Sequence, residues 1–218
     1  PAIRRVLRRQ VQTVPLGPPK LIIHTLGKIQ VRVNGKAVTL SDWQAQTARD
    51  LFLLLVAHPE GLEKEEIGEI LWPDSTDTEL KLRFKNNIYR VRRAIGKEAI
   101  IFDIESYRFN RDLDYEEDAE AFLREIDIAS HGNLEHRIYH YRAALKYYKG
   151  DYLPELSGYW VITQRQQLYE VFLDALLKVA ELEIQARQFD TALNHAQKAL
   201  AEDKCLETAH RLAMRAYA

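Results

Sequence analysis

The sequence predicts a mainly α-helical chain with a small β component, divided into two domains of unlike character. Three observations carry this. Between Leu21 and Leu40 apolar and polar residues alternate around an Asn34-Gly35 pair, a strong hairpin signal, and further on the apolar residues recur mostly at intervals of three and four. The segment Glu79 to Ile95 joins an apolar helical stripe to a strongly basic face. From about Asp114 the pattern is helical without a comparable basic cluster.

The 218 residues, 46% of them hydrophobic, suffice for two packed domains. Lys and Arg number 31 against 32 for Asp and Glu. Total charge therefore points to no polyanionic partner, and any such signal has to be local. The single cysteine, Cys205, excludes an internal disulfide framework. Without a secretory signal or long apolar run, the expectation is a cytoplasmic protein with no membrane role. The chain begins with Pro1, not Met, and reads as a piece of a longer protein.

Residues 1–20 cluster Arg4, Arg5, Arg8 and Arg9 before Pro15, Gly17, Pro18 and Pro19, which break any helix. They read as a linker or the tail of a preceding domain; a basic arm on nucleic acid is the alternative. Ile29, Val31 and Val33 then alternate with Lys28, Gln30 and Arg32, predicting a small antiparallel sheet. Ser41-Asp42 supplies an N-cap for a helix over Trp43 to Ala57, which Pro59 to Gly61 ends. A shorter helix runs from Glu63 to Trp72, and Pro73 stops it. Asp74, Ser75, Thr76 and Asp77 form a polar loop with capping residues.

In the helix that follows, Leu80, Phe84, Ile88, Val91 and Ile95 make the apolar stripe. Lys81, Arg83, Lys85, Arg90, Arg92 and Arg93 face a single acid, Glu79, with Asn86, Asn87 and Tyr89 interleaved. Asn and Arg are the side chains that bidentately read adenine and guanine edges in a major groove. The same residues also fit a surface helix whose charges only solvate it. The neighbours favour the first reading: two helices, a loop and a third helix with outward Asn and Arg form the helix-turn-helix order. After Gly96, Ile100 to Phe102 and Tyr107 to Phe109 read as two strands turning at Glu105-Ser106, the place of a wing. There Arg108 faces a minor groove or a phosphate, unless it is an ordinary solvent-facing strand residue.

The stretches LGKIQVRVNGKAVTL, ILWPDS, FKNNIYRVRRAIG and SYRFN together resemble the OmpR/PhoB-type winged helix of SARP-type bacterial transcriptional activators. The resemblance spans Leu21 to Asn110. It implies a leading four-stranded sheet, three helices and a wing, with the third helix in the major groove. It further implies that the loop Pro73, Asp74, Ser75, Thr76, Asp77 touches RNA polymerase. Base preference is not transferable, since Asn86-Asn87 is one of several versions of that helix.

Eight acids lie between Asp112 and Asp127, which suits a connector or a protein-facing surface better than a DNA face. Ala119, Phe122, Leu123 and Ile126 give this stretch a buried edge. Ile138, Tyr141, Leu145 and Tyr148 continue in a second helix ended by Gly150, and KGDYLPELSGYW is a turn-rich aromatic segment. A long helix follows from about Gln164 to Ala186. Phe189 opens another, with Ala192, Ala196 and Ala199 as close-packing small residues, and Leu206 to Tyr217 makes the last. The small residues at this spacing after the RQFD turn resemble the second half of a tetratricopeptide repeat, with Lys204 where a Pro is usual. From about Asp114 the chain is similar to the bacterial transcriptional activator domain, through YKGDYLPEL, the stretch from Trp160 to Leu168, and AHRLAMRAYA. That resemblance implies helical protein–protein contact and at least one more helical pair beyond the end of this sequence.

Other constellations carry less. His136 and His140 have the spacing of two metal ligands on one helical face, without a recognisable companion set, so no metal or other cofactor is expected. Tyr147, Tyr148, Tyr152, Tyr159 and Trp160 fit a helical core better than a stacking platform. Cys205 reads as inert packing. No phosphate-cradling loop, nucleophile elbow or dinucleotide fingerprint occurs, and no nucleophile, base and orienter can be assembled, which argues against an enzyme.

The reading is thus a winged helix-turn-helix over 21–112 followed by an all-α, TPR-like activator domain over 113–218. It makes a sequence-specific transcriptional regulator, an activator by resemblance. Asn86, Asn87, Arg90 and Arg93 are assigned to base edges, and Lys81, Arg83, Lys85 and Arg92 to phosphates. The expected partners are double-stranded DNA with direct-repeat sites, two copies of the chain on that DNA, and RNA polymerase. The alternative is a protein-interaction module whose winged helix docks on an acidic protein.

Overall fold

The computed structural model describes residues 20–217, so the expectation for residues 1–20 lies outside the described residues but for Lys20. The chain divides into two compact units. One holds Gln30–Glu116 with the residues up to Ile23, and the other His24–Ile29 with the chain from Glu117 onward.

In the first unit β1 (Leu21–His24), β2 (Gln30–Val33) and β3 (Lys36–Ala37) form a sheet in the order β3-β2-β1-β7. Its fourth strand, β7 (Tyr115–Glu117), comes from after the wing. The expected sheet is therefore four-stranded but not entirely leading: β3 is two residues long, and the other edge is supplied from far along the chain. Asn34 and Gly35 both take positive φ in the β2–β3 turn, as the Asn-Gly pair predicts.

The single helix expected from Trp43 is two. α1 (Leu40–Trp43) is capped by Thr39, not Ser41, through a reciprocal box with Asp42, and ends at Gln44 in the left-handed region. Trp43 is thereby buried with its ring centroid 5.5 Å from that of Phe52. α2 (Gln46–Ala57) is the central helix, with Leu51 to Val56 all buried. β4 (Leu62–Glu63), unanticipated in the sequence, pairs with the wing. α3 (Lys64–Leu71) follows, and α4 (Asp77–Ile95) is the basic helix. Its N-cap is Thr76, in a capping box with Glu79. The wing is β5 (Ile100–Asp103) and β6 (Ser106–Phe109), turning at Ile104-Glu105 and joined by β4 in the order β4-β6-β5.

The second unit is a stack of helices: α5 (Asp118–Ala129), α6 (Leu134–Tyr147), α7 (Tyr159–Gln185), α8 (Phe189–Glu202) and α9 (Glu207–Tyr217). α7 starts five residues before the expected Gln164, because Gly158, at φ +142°, ends the aromatic turn segment earlier. Ala192, Ala196 and Ala199 are buried; Ala199 packs with Leu176 and Ala209, Ala196 with Ala180 and Leu212. Small residues at this spacing let α8 approach both neighbours closely. Glu183 of α7 is fully buried and takes Arg142 at 2.6 Å and His195 Nδ1 at 2.8 Å, so one carboxylate ties α6, α7 and α8 together. A buried charge of this kind persists only because it is paired.

Not all of the acids after Asp112, expected to form a connector or a protein-facing surface, lie at the surface. Asp114, Glu117 and Asp118 are buried. Asp118 Oδ1 accepts from the Thr25 backbone N–H and hydroxyl, each at 2.7 Å, and Glu117 also meets that hydroxyl while capping α5 at Glu120. Beside them Gly27 donates to the Asp151 carbonyl at 2.9 Å and Leu153 to the Thr25 carbonyl at 2.8 Å. Gly27 is at φ +87°, and a Cβ there would stand 3.1 Å from the Lys149 carbonyl oxygen, so glycine is what this crossing admits.

The aromatic segment splits. Tyr152 is buried and Tyr148 stacks on Phe172 with centroids 4.0 Å apart, its hydroxyl pushed up to about 12 chiefly by burial, whereas Tyr159 is fully in solvent. Leu123 is exposed at the edge expected to be buried, and Cys205 is exposed, not packed.

Candidate nucleic-acid interface

α4 begins in a capping box and carries Asp77 and Glu79 in its first turn, Arg92 and Arg93 in its last. Both ends thus complement the helix dipole. Backbone and then side-chain hydrogen bonds from Thr76 hold the Glu79 carboxyl below its usual range. The inner stripe is Phe84, Ile88 and Val91, all buried. Phe84 meets Tyr107 of the wing at 4.6 Å, and Tyr107 in turn meets Phe102 at 4.6 Å, so an aromatic ladder ties the helix to both wing strands. On the other side α3 approaches at Gly68, where an added Cβ would stand 2.6 Å from Leu80 Cδ1.

With the inner stripe fixed, the outward line is Leu82, Asn86, Tyr89 and Arg93, at intervals of four, three and four, and all four are exposed. Lys81 and Lys85 flank it on one side, Arg83 and Arg90 on the other. None of these cations is in an ion pair among the described residues. The face is an uncharged centre between two rows of positive charge, ending in Arg93.

Two of the assigned residues are not on this face. Asn87, expected at a base edge, is 4% exposed; its amide donates to the Arg83 carbonyl at 2.8 Å and its oxygen accepts from the Thr47 hydroxyl at 3.1 Å. It is a buried polar link between α4 and α2. Arg92, expected at a phosphate, is half-buried and donates to the Ile100 carbonyl at 3.2 Å, so it anchors the first wing strand. Arg93 stays exposed but also borders a cleft of about 340 Å³ with Lys36, Ser41 and Asp42. Arg108 lies on the wing as expected, paired with Asp103 at 3.2 Å.

The loop from Pro73 to Asp77 does two things at once. Pro73 and Asp74 are exposed, while Thr76 is the cap of α4 and Asp77 its first residue. Leu82 was missed in the sequence and Tyr89, noted among the basic residues, was given no role, although the place of both opposite the apolar stripe could have been read from the same period.

His136 and His140 lie with ring centroids 4.4 Å apart, and His140 is buried with its Nδ1 2.7 Å from Glu125. Among the described residues no group of three or more His, Cys, Asp or Glu is placed to hold a metal ion. No helix of the described residues is long and apolar enough to cross a membrane.

Residues 114–218 match the family described as the bacterial transcriptional activator domain. Among curated proteins none matches the chain in sequence. Among solved structures the chain is similar to Mycobacterium tuberculosis EmbR, solved in complex with a low affinity phosphopeptide, with a TM-score of 0.76 at 18% identity. The likeness covers 91% of this chain and 55% of that one, so the chain spans about half of the EmbR chain, and at this identity the likeness is one of fold.

Proposed function

We propose, from the match of residues 114–218 to the bacterial transcriptional activator domain, a family of transcriptional regulators and not enzymes, that the chain is a sequence-specific DNA-binding regulator of the SARP type. α4 lies in the major groove. Asn86 and Arg90 reach base edges, with Arg93 at the end of the same line, while Lys81, Arg83 and Lys85 neutralise phosphates. The wing, with Arg108, follows the adjacent backbone or minor groove. The observation that carries this reading is the outward face of α4: unpaired cations on both flanks of an exposed amide, on a helix held rigidly by α2, α3 and the wing.

The finer parts of the proposal rest on the family resemblance. The protein activates transcription in the cytoplasm, bound as two copies at direct repeats. The loop from Pro73 to Asp77, exposed at all but Ser75, meets RNA polymerase, and the helical unit adds contacts between copies.

The test is selection of binding duplexes from a randomised library with the wild-type chain, Asn86→Ala and Arg90→Ala. A recovered motif that both substitutions blur is the expected result. Replacing Arg90 is expected to relax one base position at a cost of about 1–3 kcal/mol. Uniform weak binding with no motif would favour instead a module whose α4 docks on an acidic protein.

A further inference from the structure

Leu82 and Tyr89 are 61% and 63% exposed at the centre of the outward face of α4. What sets them apart from the chain's other exposed apolar side chains is their place: both lie on the outward line of α4 with Asn86, between its two rows of cations. They stand seven residues apart with Asn86 between them, which spaces them about 10 Å along the helix axis. The two cation rows bracket this line, as phosphates on both strands bracket the floor of a major groove. On that floor the apolar feature is the C5 methyl of thymine.

We infer that Leu82 and Tyr89 are specificity residues that read thymine methyl groups, one on each side of the base addressed by Asn86. The inference rests on the DNA-binding reading above and goes beyond it by naming the bases. Ten ångströms corresponds to about three base steps. The site therefore holds two thymines, on either strand, two to four base pairs apart, with an adenine for the Asn86 amide between them. Contact with a methyl contributes through burial, so each thymine is favoured over the same base lacking the methyl by about fourfold.

The experiment uses duplexes recovered by selection with the 218-residue chain, in which each thymine in turn is replaced by deoxyuridine, a change that removes only the methyl. The expected result is a loss of about fourfold in affinity at two positions two to four base pairs apart. Leu82→Ala removes the thymine preference at one of them and Tyr89→Ala at the other, with melting temperatures unchanged because both side chains are exposed. If a motif is recovered and Asn86→Ala blurs it, but thymine and uracil bind alike throughout or both variants keep the preference, the methyl-reading inference is overturned and DNA reading stands. If no motif is recovered, DNA reading itself fails and the inference with it.

Discussion

Asn86 and Asn87 are identical neighbours in different surroundings. One helical step of about 100° carries Asn86 to the outward line and Asn87 against α2. There the Asn87 amide is the hydrogen-bond partner of the Arg83 carbonyl and the Thr47 hydroxyl. Losing it leaves a hole and one fewer tie between helices in a buried place. Asn87→Ala is accordingly expected to lower unfolding stability by about 1–3 kcal/mol while the selected DNA motif stays the same. Denaturant titration and library selection on the same variant check this, and a changed motif at full stability would return Asn87 to the base-reading set. Arg92 makes the same point with charge: its guanidinium is committed to the Ile100 carbonyl, which leaves the phosphates to Lys81, Arg83 and Lys85.

Among the elements, α4 depends on how it starts. Thr76 caps the helix and Glu79 returns the bond, which sets where the first turn lies and so the phase of every side chain after it. Thr76→Ala is expected to cost about 1 kcal/mol in thermal or denaturant unfolding, whereas Asp74→Ala, next to the cap, costs little. The pH dependence follows from the lowered pKa of Glu79. Its stabilising contribution is present above the ordinary carboxylate range and is lost as pH falls through the lower folded value, and Thr76→Ala removes this part of the acid dependence. α1 shows how local signals compete. Both Thr39 and Ser41 have a capping partner three residues on, Asp42 and Gln44. Thr39 prevails, and the helix stops in time for Trp43 to enter the core beside Phe52.

At the scale of the whole chain the net charge is −1, so long-range attraction to DNA is small and association depends on the rows along α4. Binding is expected to weaken steeply with salt, and Lys85→Gln to reduce the slope of log K against log salt by about one. Titration of one selected duplex at several salt concentrations measures it, and an unchanged slope would remove Lys85 from the phosphate set. The carboxylates that balance this charge are partly hidden: Asp114, Glu117 and Asp118 are folded inward.

Read alone, the sequence determined the helices, the wing, the basic face and the small-residue stripe of α8, because periodicity and turn chemistry are local and each segment states its own. The likeness to the activator domain was also legible, through stretches that lie close together in the chain. Only the tertiary structure decided which strand closes the first sheet, that β4 joins the wing, where α1 stops, and that Asn87 and Arg92 face inward. It also decided that two of the acids crowded after Asp112, Glu117 and Asp118, are buried partners of Thr25. Each of these depends on a group distant in sequence, Thr47, Ile100, Phe52 or Thr25. Whether a polar side chain meets water or a hydrogen-bond partner is settled by what folds against it, and a single segment does not contain that information.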